Sequence, residues 1–350
     1  MKECSIMLTD LKYIDDDVFE QIKNYTIDSN DLYLTIAGTI GSVGIIPKEV
    51  SGMNLTENAA KLTNISCVKE YLLYALLSST AQEHFTSKFH QVAQPKLSIE
   101  TASTTPIALP PINEQIRIVS EIERTLKLID GINNNKNELQ TAIKQAKRKI
   151  LDLAIHGKLV PQDPNDEPAT ELLKRINPKA EIVCDNPQYG KLPKGWCKTT
   201  LKSLAKEVFA GGDKPTEFTK EKTNGNIIPI YANGVEKDGL YGYTNAARVI
   251  EPCLTVSARG TIGFTCIRNI PFVPIVRLIT IVPNLAFDLK YMKFCLDCLL
   301  IWSEGSSIPQ LTVPTIKKMQ LPLPPLQEQH RIVAKIEELF AQLDKIEVSL

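Results

Sequence analysis

Apolar residues recur in steps of three and four along two segments of the chain, the spacing of one face of an α-helix. The first segment covers residues 112 to about 156, and the second covers residues 326–350. Apolar stripes of this length are buried against a partner in a folded protein, so we expect the two helices to pack on each other. The residues predicted to form this contact are Ile116, Val119, Ile122, Leu126, Ile129, Val333, Ile336, Phe340 and Leu343.

The two helical segments are copies of one another. Each opens with Leu-Pro-Pro followed by Glu-Gln, at residues 109–115 and 323–329. From these starting points, 12 of 24 aligned positions are identical without a gap. Because proline fixes φ and is tolerated only before or in the first turn, each proline pair predicts a helix start.

A strand and a turn ahead of each helix belong to the same repeat. Leu34 and the Gly-Thr-Ile-Gly turn at residues 38–41 match Leu254 and the same turn at residues 260–263, after a two-residue gap. Strand-like runs separated by Gly- or Asn-rich turns predict an α+β fold for both globules. A repeat this long indicates internal pseudo-symmetry, in the order globule, helix, globule, helix.

Proline-rich stretches and helical patterns divide the chain into five parts. Residues 158–190 read as a linker with one short helix near residues 170–176. Helices are predicted near residues 69–88 and 289–303 to close the two globules. The predicted organisation is a first globule over residues 1–108, a long helix over 109–157, the linker over 158–190, a second globule over 191–322 and a second long helix over 323–350.

Composition narrows the class of protein. No run of 18 or more apolar residues is present, which disfavours a membrane span. The 8 cysteines are scattered without a framework, as expected in a reducing cytoplasm. Cys295 and Cys298 are the only close pair, and they lie in an apolar helical pattern without a second pair to complete a zinc site. We therefore expect core cysteines and a cytoplasmic protein.

Charge is balanced overall but unevenly distributed. Residues 190–325 contain 17 Lys and Arg against 10 Asp and Glu, whereas residues 1–108 contain 8 against 13. A basic excess confined to one globule is the electrostatic footprint of a surface that meets phosphates. Ordinary variation of surface charge is the alternative.

Together these features resemble the DNA-specificity subunits of type I restriction–modification enzymes. The motifs that carry the resemblance are Leu-Pro-x-Gly-Trp at residues 192–196, Leu-Thr-x-x-x-x-Gly-Thr-Ile-Gly at residues 254–263, the Leu-Pro-Pro-x-x-Glu-Gln helix start, and the doubling of the unit. The resemblance implies two target-recognition domains, each reading one half of a split DNA sequence. It also implies that the two long helices form an antiparallel coiled coil, which acts as a ruler between the two halves.

The resemblance further implies the partners. Double-stranded DNA, two methyltransferase (modification) subunits and restriction subunits would assemble with this chain, which itself would catalyse no reaction and need no cofactor or metal. A competing hypothesis is a degenerate or silent copy of such a subunit, a structural module that self-associates through its helices without specific DNA binding.

The front of the chain departs from the family pattern. Leu192 lies 62 residues before Leu254, whereas only 33 residues precede Leu34. We therefore expect the first recognition domain to lack about its first 30 residues, including the Leu-Pro-x-Gly-Trp motif. Its acidic character favours the competing hypothesis, and a fully bipartite target is not assumed.

Candidate DNA contacts are basic and polar residues in predicted loops, because phosphates bind Lys and Arg and base edges bind Arg, Asn, Gln and small polar groups. Arg259 is the strongest candidate, since a guanidinium binds guanine O6 and N7 bidentately. A structural salt bridge is the alternative for an arginine, and turn chemistry is the alternative for an asparagine. The candidates are Lys214, Thr216, Tyr231, Asn233, Tyr243, Asn245 and Arg259, with Gln310 and its counterpart Lys96 ahead of the two long helices.

Two other groups of polar residues have competing interpretations. The basic run of Lys144, Lys147, Arg148 and Lys149 is a solvated helix face, or a face for DNA or an acidic partner. The repeated Glu-Gln pairs serve the helix N-termini, or contact the modification subunit. Enzyme classes find little support, because the sequence contains no Gly-x-x-x-x-Gly-Lys-Ser/Thr loop and its 4 histidines have no ligand spacing.

Overall fold

The computed structural model describes residue 6 and residues 11–87, 96–183, 192–284, 287–301 and 311–350. It divides into two compact units, Met1–Asn135 and Lys136–Leu350. The division falls within one long helix, and each unit has an apolar core of its own.

The first unit is a small antiparallel sheet covered by helices. Its described elements are α1 (Asp16–Ile22), β1 (Leu32–Thr35), β2 (Val43–Ile45), β3 (Ala59–Leu62), α2 (Lys69–Leu77), α3 (Ser79–Thr86), α4 (Ile99–Ser103) and the first part of α5 (Ile112–Ile155). The strands lie in the order β2-β1-β3. Buried residues alternate along β1, and Leu32 and Leu34 share the core with Leu73 and Phe85 of the helices.

The second unit is larger, and its described residues form three sheets. Its described elements are the rest of α5, then α6 (Ala169–Ile176), β4 (Ile182–Val183), β5 (Cys197–Thr200), α7 (Leu201–Leu204), β6 (Ala205–Ala210), β7 (Ile228–Tyr231), β8 (Leu240–Thr244), β9 (Cys253–Val256), β10 (Thr265–Arg268), β11 (Val273–Pro274), β12 (Ile279–Pro283), α8 (Leu289–Ile301), α9 (Val313–Lys317), β13 (Gln320–Leu323) and α10 (Leu326–Val348). The sheet orders are β10-β9-β12-β6, β11-β7-β8 and β13-β5-β4.

The core of the second unit lies between its four-stranded sheet and α8. Every residue of β9 is buried, which fits a central strand covered on both faces. Cys295 and Cys298 of α8 are also buried, so the prediction that they are core cysteines is confirmed. Burial raises the pKa of the Cys295 thiol, which keeps it protonated and unreactive.

The repeated strand and turn have the same hydrogen bonding in both units. Gly41 donates its backbone N–H to Thr35 O at 2.9 Å, and Gly263 donates to Ser257 O at 2.9 Å. Thr35 therefore corresponds to Ser257, and the turn needs no gap. The predicted match of Leu34 with Leu254 after a two-residue gap is wrong. Strand side chains repeat every two residues, so a shift of two leaves the apolar pattern almost unchanged and hides the error in the sequence.

The last part of α5 and α10 contact each other within the second unit. Lys147 Nζ lies 2.7 Å from Asp344 Oδ1 and 2.9 Å from Glu347 Oε2. Lys136 Nζ donates to the backbone oxygen of Leu350 at 2.7 Å. Because a lower number on α5 meets a higher number on α10, the two segments run antiparallel.

The nine residues predicted for the helix contact divide into three groups. Val333 and Ile336 are buried in the same core as Leu151 of α5, whereas the ring of Phe340 packs edge-on against a ring of α8, with centroids 6.1 Å apart. Val119 is buried, while Ile122 and Leu343 are half-buried. The remaining three are exposed, by 53% at Ile116, 44% at Leu126 and 47% at Ile129.

Candidate nucleic-acid interface

A buried glutamine ties each long helix to its own globule. In the first unit, Gln115 Oε1 accepts from the Val68 N–H at 2.9 Å, and its Nε2 donates to Pro110 O at 2.8 Å. In the second unit, Gln329 Oε1 accepts from the Asp288 N–H at 3.1 Å, and its Nε2 donates to Pro324 O at 3.1 Å. The two amides are 1% and 0% exposed. We call each arrangement a glutamine clamp, since it links the start of α2 or α8 to the double-proline motif.

A tyrosine hydroxyl reinforces each glutamine clamp with a further hydrogen bond. Tyr71 of α2 donates its hydroxyl to Ala108 O at 2.6 Å, and Tyr291 of α8 donates to Pro322 O at 3.0 Å. Buried polar groups are retained when they are fully paired, and here each one fixes a backbone segment ahead of a long helix. Both globules are thus attached to their helices by the same bonds.

The glutamates beside these glutamines differ between the two copies. Glu328 is 1% exposed and accepts from Trp196 Nε1 at 3.0 Å and from Gln162 Nε2 at 3.2 Å. Burial raises the pKa of the Glu328 carboxyl above its ordinary value. Glu114, its counterpart, is exposed. Glu328 therefore joins the linker and the Leu-Pro-x-Gly-Trp motif to the start of α10.

Four loops of the second unit meet at one end of its sheets, and we call them the loop cluster. They comprise residues 211–214, 232–235, 257–260 and 275–278. The first follows β6, the second follows β7, the third joins β9 to β10, and the fourth precedes β12. Strand register places three of them at one sheet end, because Ile279 of β12 pairs with both Ala210 and Val256.

Hydrogen bonds join the loops of the loop cluster to one another. Asn233 Nδ2 donates to Val276 O at 2.6 Å, and its Oδ1 accepts from the Ala258 N–H at 2.8 Å. The Val276 N–H donates to Gly212 O at 2.9 Å, and the Arg277 N–H donates to Gly211 O at 3.0 Å. Both polar groups of the Asn233 side chain are therefore engaged with backbone, which gives it a positioning role within the cluster.

The structure brings some of the predicted DNA contacts together and separates others. Arg259 is exposed and directly follows Ala258, which Asn233 holds. Lys214 is exposed at the edge of the cluster, with Nζ 4.8 Å from the centre of the Phe218 ring. Tyr243 and the exposed Asn245 lie at the opposite end of the β7–β8 pair from this cluster, and Thr244 bonds to Glu217 O beside the exposed Thr216.

The other candidates have different surroundings. Tyr231 lies under the Arg268 guanidinium, whose carbon is 3.6 Å from the ring centre, so its ring face is covered. Lys96 is exposed in the first unit. Gln310 lies outside the described residues. These placements leave Arg259 and Lys214 as the predicted cations that lie within the loop cluster.

Sequence analysis missed Arg277, which is exposed in the loop cluster. Val276 and Arg277 have φ values of +51° and +60°, in the left-handed region that β-branched residues in particular avoid. Such residues cost about 1–3 kcal/mol each and persist where surrounding bonds determine the backbone. The sequence held no sign of this loop, because no glycine or asparagine marks its turn.

Two residues of the basic run late in α5 form ion pairs within the protein. Lys147 pairs with Asp344 and Glu347, and Lys149 pairs with Asp152 at 2.8 Å. Lys144 is exposed. Of this run, Lys147 therefore contributes to the contact between α5 and α10, while the Lys149 pair lies within α5.

Within the described ranges, no group of three or more His, Cys, Asp or Glu side chains is arranged to hold a metal ion. None of the described helices is both long enough and apolar enough to span a membrane.

The chain matches the family described as type I restriction modification DNA specificity domain, over residues 9–141 and 193–348. These stretches include most of both globules, residues 112–141 of α5 and the whole of α10. The chain belongs to this family, and the resemblance found in the sequence is confirmed.

Individual relatives carry the corresponding names. The EcoAI specificity subunit of Escherichia coli, a type I restriction enzyme subunit, is 30% identical over 246 residues, which are 59% of this chain and 41% of that protein. A Mycoplasma pneumoniae protein provisionally named a type I specificity subunit is 36% identical over 140 residues, 40% of this chain and 39% of that protein. The chain thus spans about two fifths of the length of these relatives.

Solved structures share the fold. A chain from a study of complex assembly and conformational transition of the type I R-M system aligns with a TM-score of 0.70 at 18% identity, covering 93% of this chain and 77% of that chain. The HsdS subunit from Thermoanaerobacter tengcongensis aligns with a TM-score of 0.57 at 19% identity, covering 93% and 76%. The predicted mixture of helices and strands is confirmed at this level.

Proposed function

We propose that this chain is a non-catalytic specificity subunit of a type I restriction–modification complex. The observation that carries the proposal is the loop cluster, in which four loops joined by hydrogen bonds present Arg259, Arg277 and Lys214 at one end of the second unit. Positive side chains on fixed backbone suit a surface that meets phosphates and base edges. Family membership and the basic excess of residues 190–325 support the same assignment.

The long helices would act as a spacer between two reading domains. Antiparallel contacts between α5 and α10, together with a glutamine clamp in each unit, support a coiled coil that holds each domain at a fixed place. The exposed Ile116, Leu126 and Ile129 would be covered by this coil or by a partner subunit.

Methyltransferase and restriction subunits are the proposed protein partners. The relatives are named as specificity subunits of type I restriction enzymes. The modification subunits would bring S-adenosylmethionine and flip the target base, while this chain positions them on DNA in the cytoplasm.

Co-purification with the modification subunit, followed by methylome sequencing with and without this gene, tests the proposal. We expect association and a methylated motif that disappears when the gene is deleted. Arg259→Ala should weaken binding to that motif by about 1–3 kcal/mol and relax one base position. Association without any methylated motif would instead support the degenerate copy that only self-associates, which the exposed apolar residues of α5 and the acidic first domain favour.

A further inference from the structure

The loop that carries Arg277 is held in an unfavourable backbone conformation by its neighbours. Val276 and Arg277 are consecutive non-glycine residues with φ values of +51° and +60°. Their two N–H groups donate to Gly212 O and Gly211 O, and the Val276 oxygen accepts from Asn233. Strained backbone that is fixed by several bonds occurs preferentially at functional sites.

Close backbone contact makes this arrangement rigid. A Cβ atom on Gly211 would lie 2.6 Å from Pro274 C and 2.7 Å from Ile275 N, so only glycine allows the two loops to approach this closely. Val276 is 51% exposed, which means that burial of its side chain does not explain the strained turn. The turn therefore serves the placement of the backbone and of the next side chain.

The guanidinium of Arg277 is available for a ligand. Its side chain is exposed, and no hydrogen bond, ion pair or ring contact joins it to any residue in the described part of the chain. Asn233 bonds both to the carbonyl that precedes Arg277 and to the amide that precedes Arg259. Two arginines are thus carried on neighbouring loops that one side chain fixes.

Resting on the proposed DNA-reading function, we propose that Arg277 reads a guanine in the major groove, with Asn233 as the positioning residue for its loop. A bidentate contact to guanine O6 and N7 requires a guanidinium plane in a fixed orientation. A phosphate contact needs only a nearby positive charge, which a flexible loop would supply equally well. Because the backbone of the loop that carries Arg277 is strained and held by hydrogen bonds, we infer a base contact for its side chain.

The test uses the complex with modification subunits and two duplexes of equal length, one with the methylated motif of the wild-type methylome and one of random sequence. Arg277→Ala should weaken binding to the motif about tenfold or more and binding to random DNA no more than about twofold. Arg277→Lys should behave in the same way, since it keeps the charge but lacks the planar fork. The methylome of either variant should be degenerate at one guanine.

Asn233→Ala is expected to relax the same guanine position, because the loop loses its fixed placement. A purely structural role would instead weaken binding to both duplexes together, and that result would overturn its role in positioning. Lys202→Ala is the matched control, since Lys202 is an exposed cation of α7 at the opposite end of β6 from Gly211. It should leave discrimination unchanged.

Three results would overturn the assignment of Arg277. Equal weakening on both duplexes, or full activity of Arg277→Lys, would make it a phosphate contact, and unchanged discrimination in Arg277→Ala would exclude a DNA contact. A wild-type complex that does not distinguish the duplexes would overturn the proposed function itself, which is a separate outcome.

Discussion

At the residue scale, one position of the repeated motif has two different environments. Glu328 is enclosed by Trp196 and Gln162, whereas Glu114 reaches solvent. The difference arises because the linker that follows α5 returns to the start of α10. Gly157 allows this return, since a Cβ there would lie 2.3 Å from Pro193 Cγ.

Glu328 should make the stability of the second unit depend on pH. Its pKa is raised in the folded protein by burial, so folding favours the protonated carboxyl. Its contribution to stability is fully present below its ordinary pKa and is lost as the pH rises through the raised value. Glu328→Gln keeps an acceptor for Trp196 but cannot ionise. The unfolding free energy of Glu328→Gln minus that of the wild type should therefore increase from about pH 4 to about pH 8, as measured by urea titration. This range starts near the ordinary pKa of a glutamate, about 4.3.

Glu114→Gln is the matched control for this measurement, because it makes the same change at the exposed position of the first copy. If both variants altered the pH dependence equally, burial of Glu328 would not be its cause.

At the element scale, α5 and α10 both contribute residues to the core of the second unit, and ion pairs join them directly at another place. Ile336 is 0% exposed and belongs to the main core, whereas the Lys147 side chain is 27% exposed between its two acidic partners. Ile336→Ala should lower the unfolding free energy by about 2–5 kcal/mol, because it removes buried methyl groups and leaves a cavity.

Lys147→Ala should lower the unfolding free energy by no more than about 1 kcal/mol, since partly exposed ion pairs gain little over solvated charges. Raising the salt concentration should shrink this smaller effect but not that of Ile336→Ala. Thermal and urea unfolding of both variants measure the comparison, and a larger loss for Lys147→Ala would show that ion pairs dominate the contact.

Sequence reasoning succeeded where a pattern extends over many residues. The apolar period predicted a helix over residues 112 to about 156, and α5 spans Ile112–Ile155. It failed where the outcome depends on distant backbone. The strained turn at Val276 exists because Gly211, Gly212 and Asn233 supply its bonds, and these residues lie far away in the sequence. The alternating strand pattern also concealed a two-residue shift in the repeat.

At the scale of the whole molecule, the proposed spacer makes a quantitative prediction. Seven helical residues inserted between Asn134 and Asn135 would lengthen α5 by about 10 Å and return its faces to within about 20° of their original direction. The insertion leaves the contacting part of α5, from Lys136 onward, intact. If both units read DNA, the unspecified gap in the methylated motif should grow by about three base pairs.

Replacing Asn133, Asn134 and Asn135 with alanine keeps the length of α5 and is the control. Its methylated motif should match that of the wild type. A motif with an unchanged gap after the insertion would argue against α5 as a spacer.

The glutamine clamp depends little on the amino-acid sequence of the domain that it holds. Gln115 and Gln329 bond to the main-chain N–H groups of Val68 and Asp288, two different residue types, and the side chains at those positions contribute nothing to the bond. A globule of foreign sequence could therefore be substituted on the same helix, provided that its counterpart of α2 or α8 begins at this point and carries the reinforcing tyrosine. If the proposed function holds, exchange of a whole globule by recombination at the double-proline boundary would change the DNA sequence that is recognised. The two long helices would stay the same.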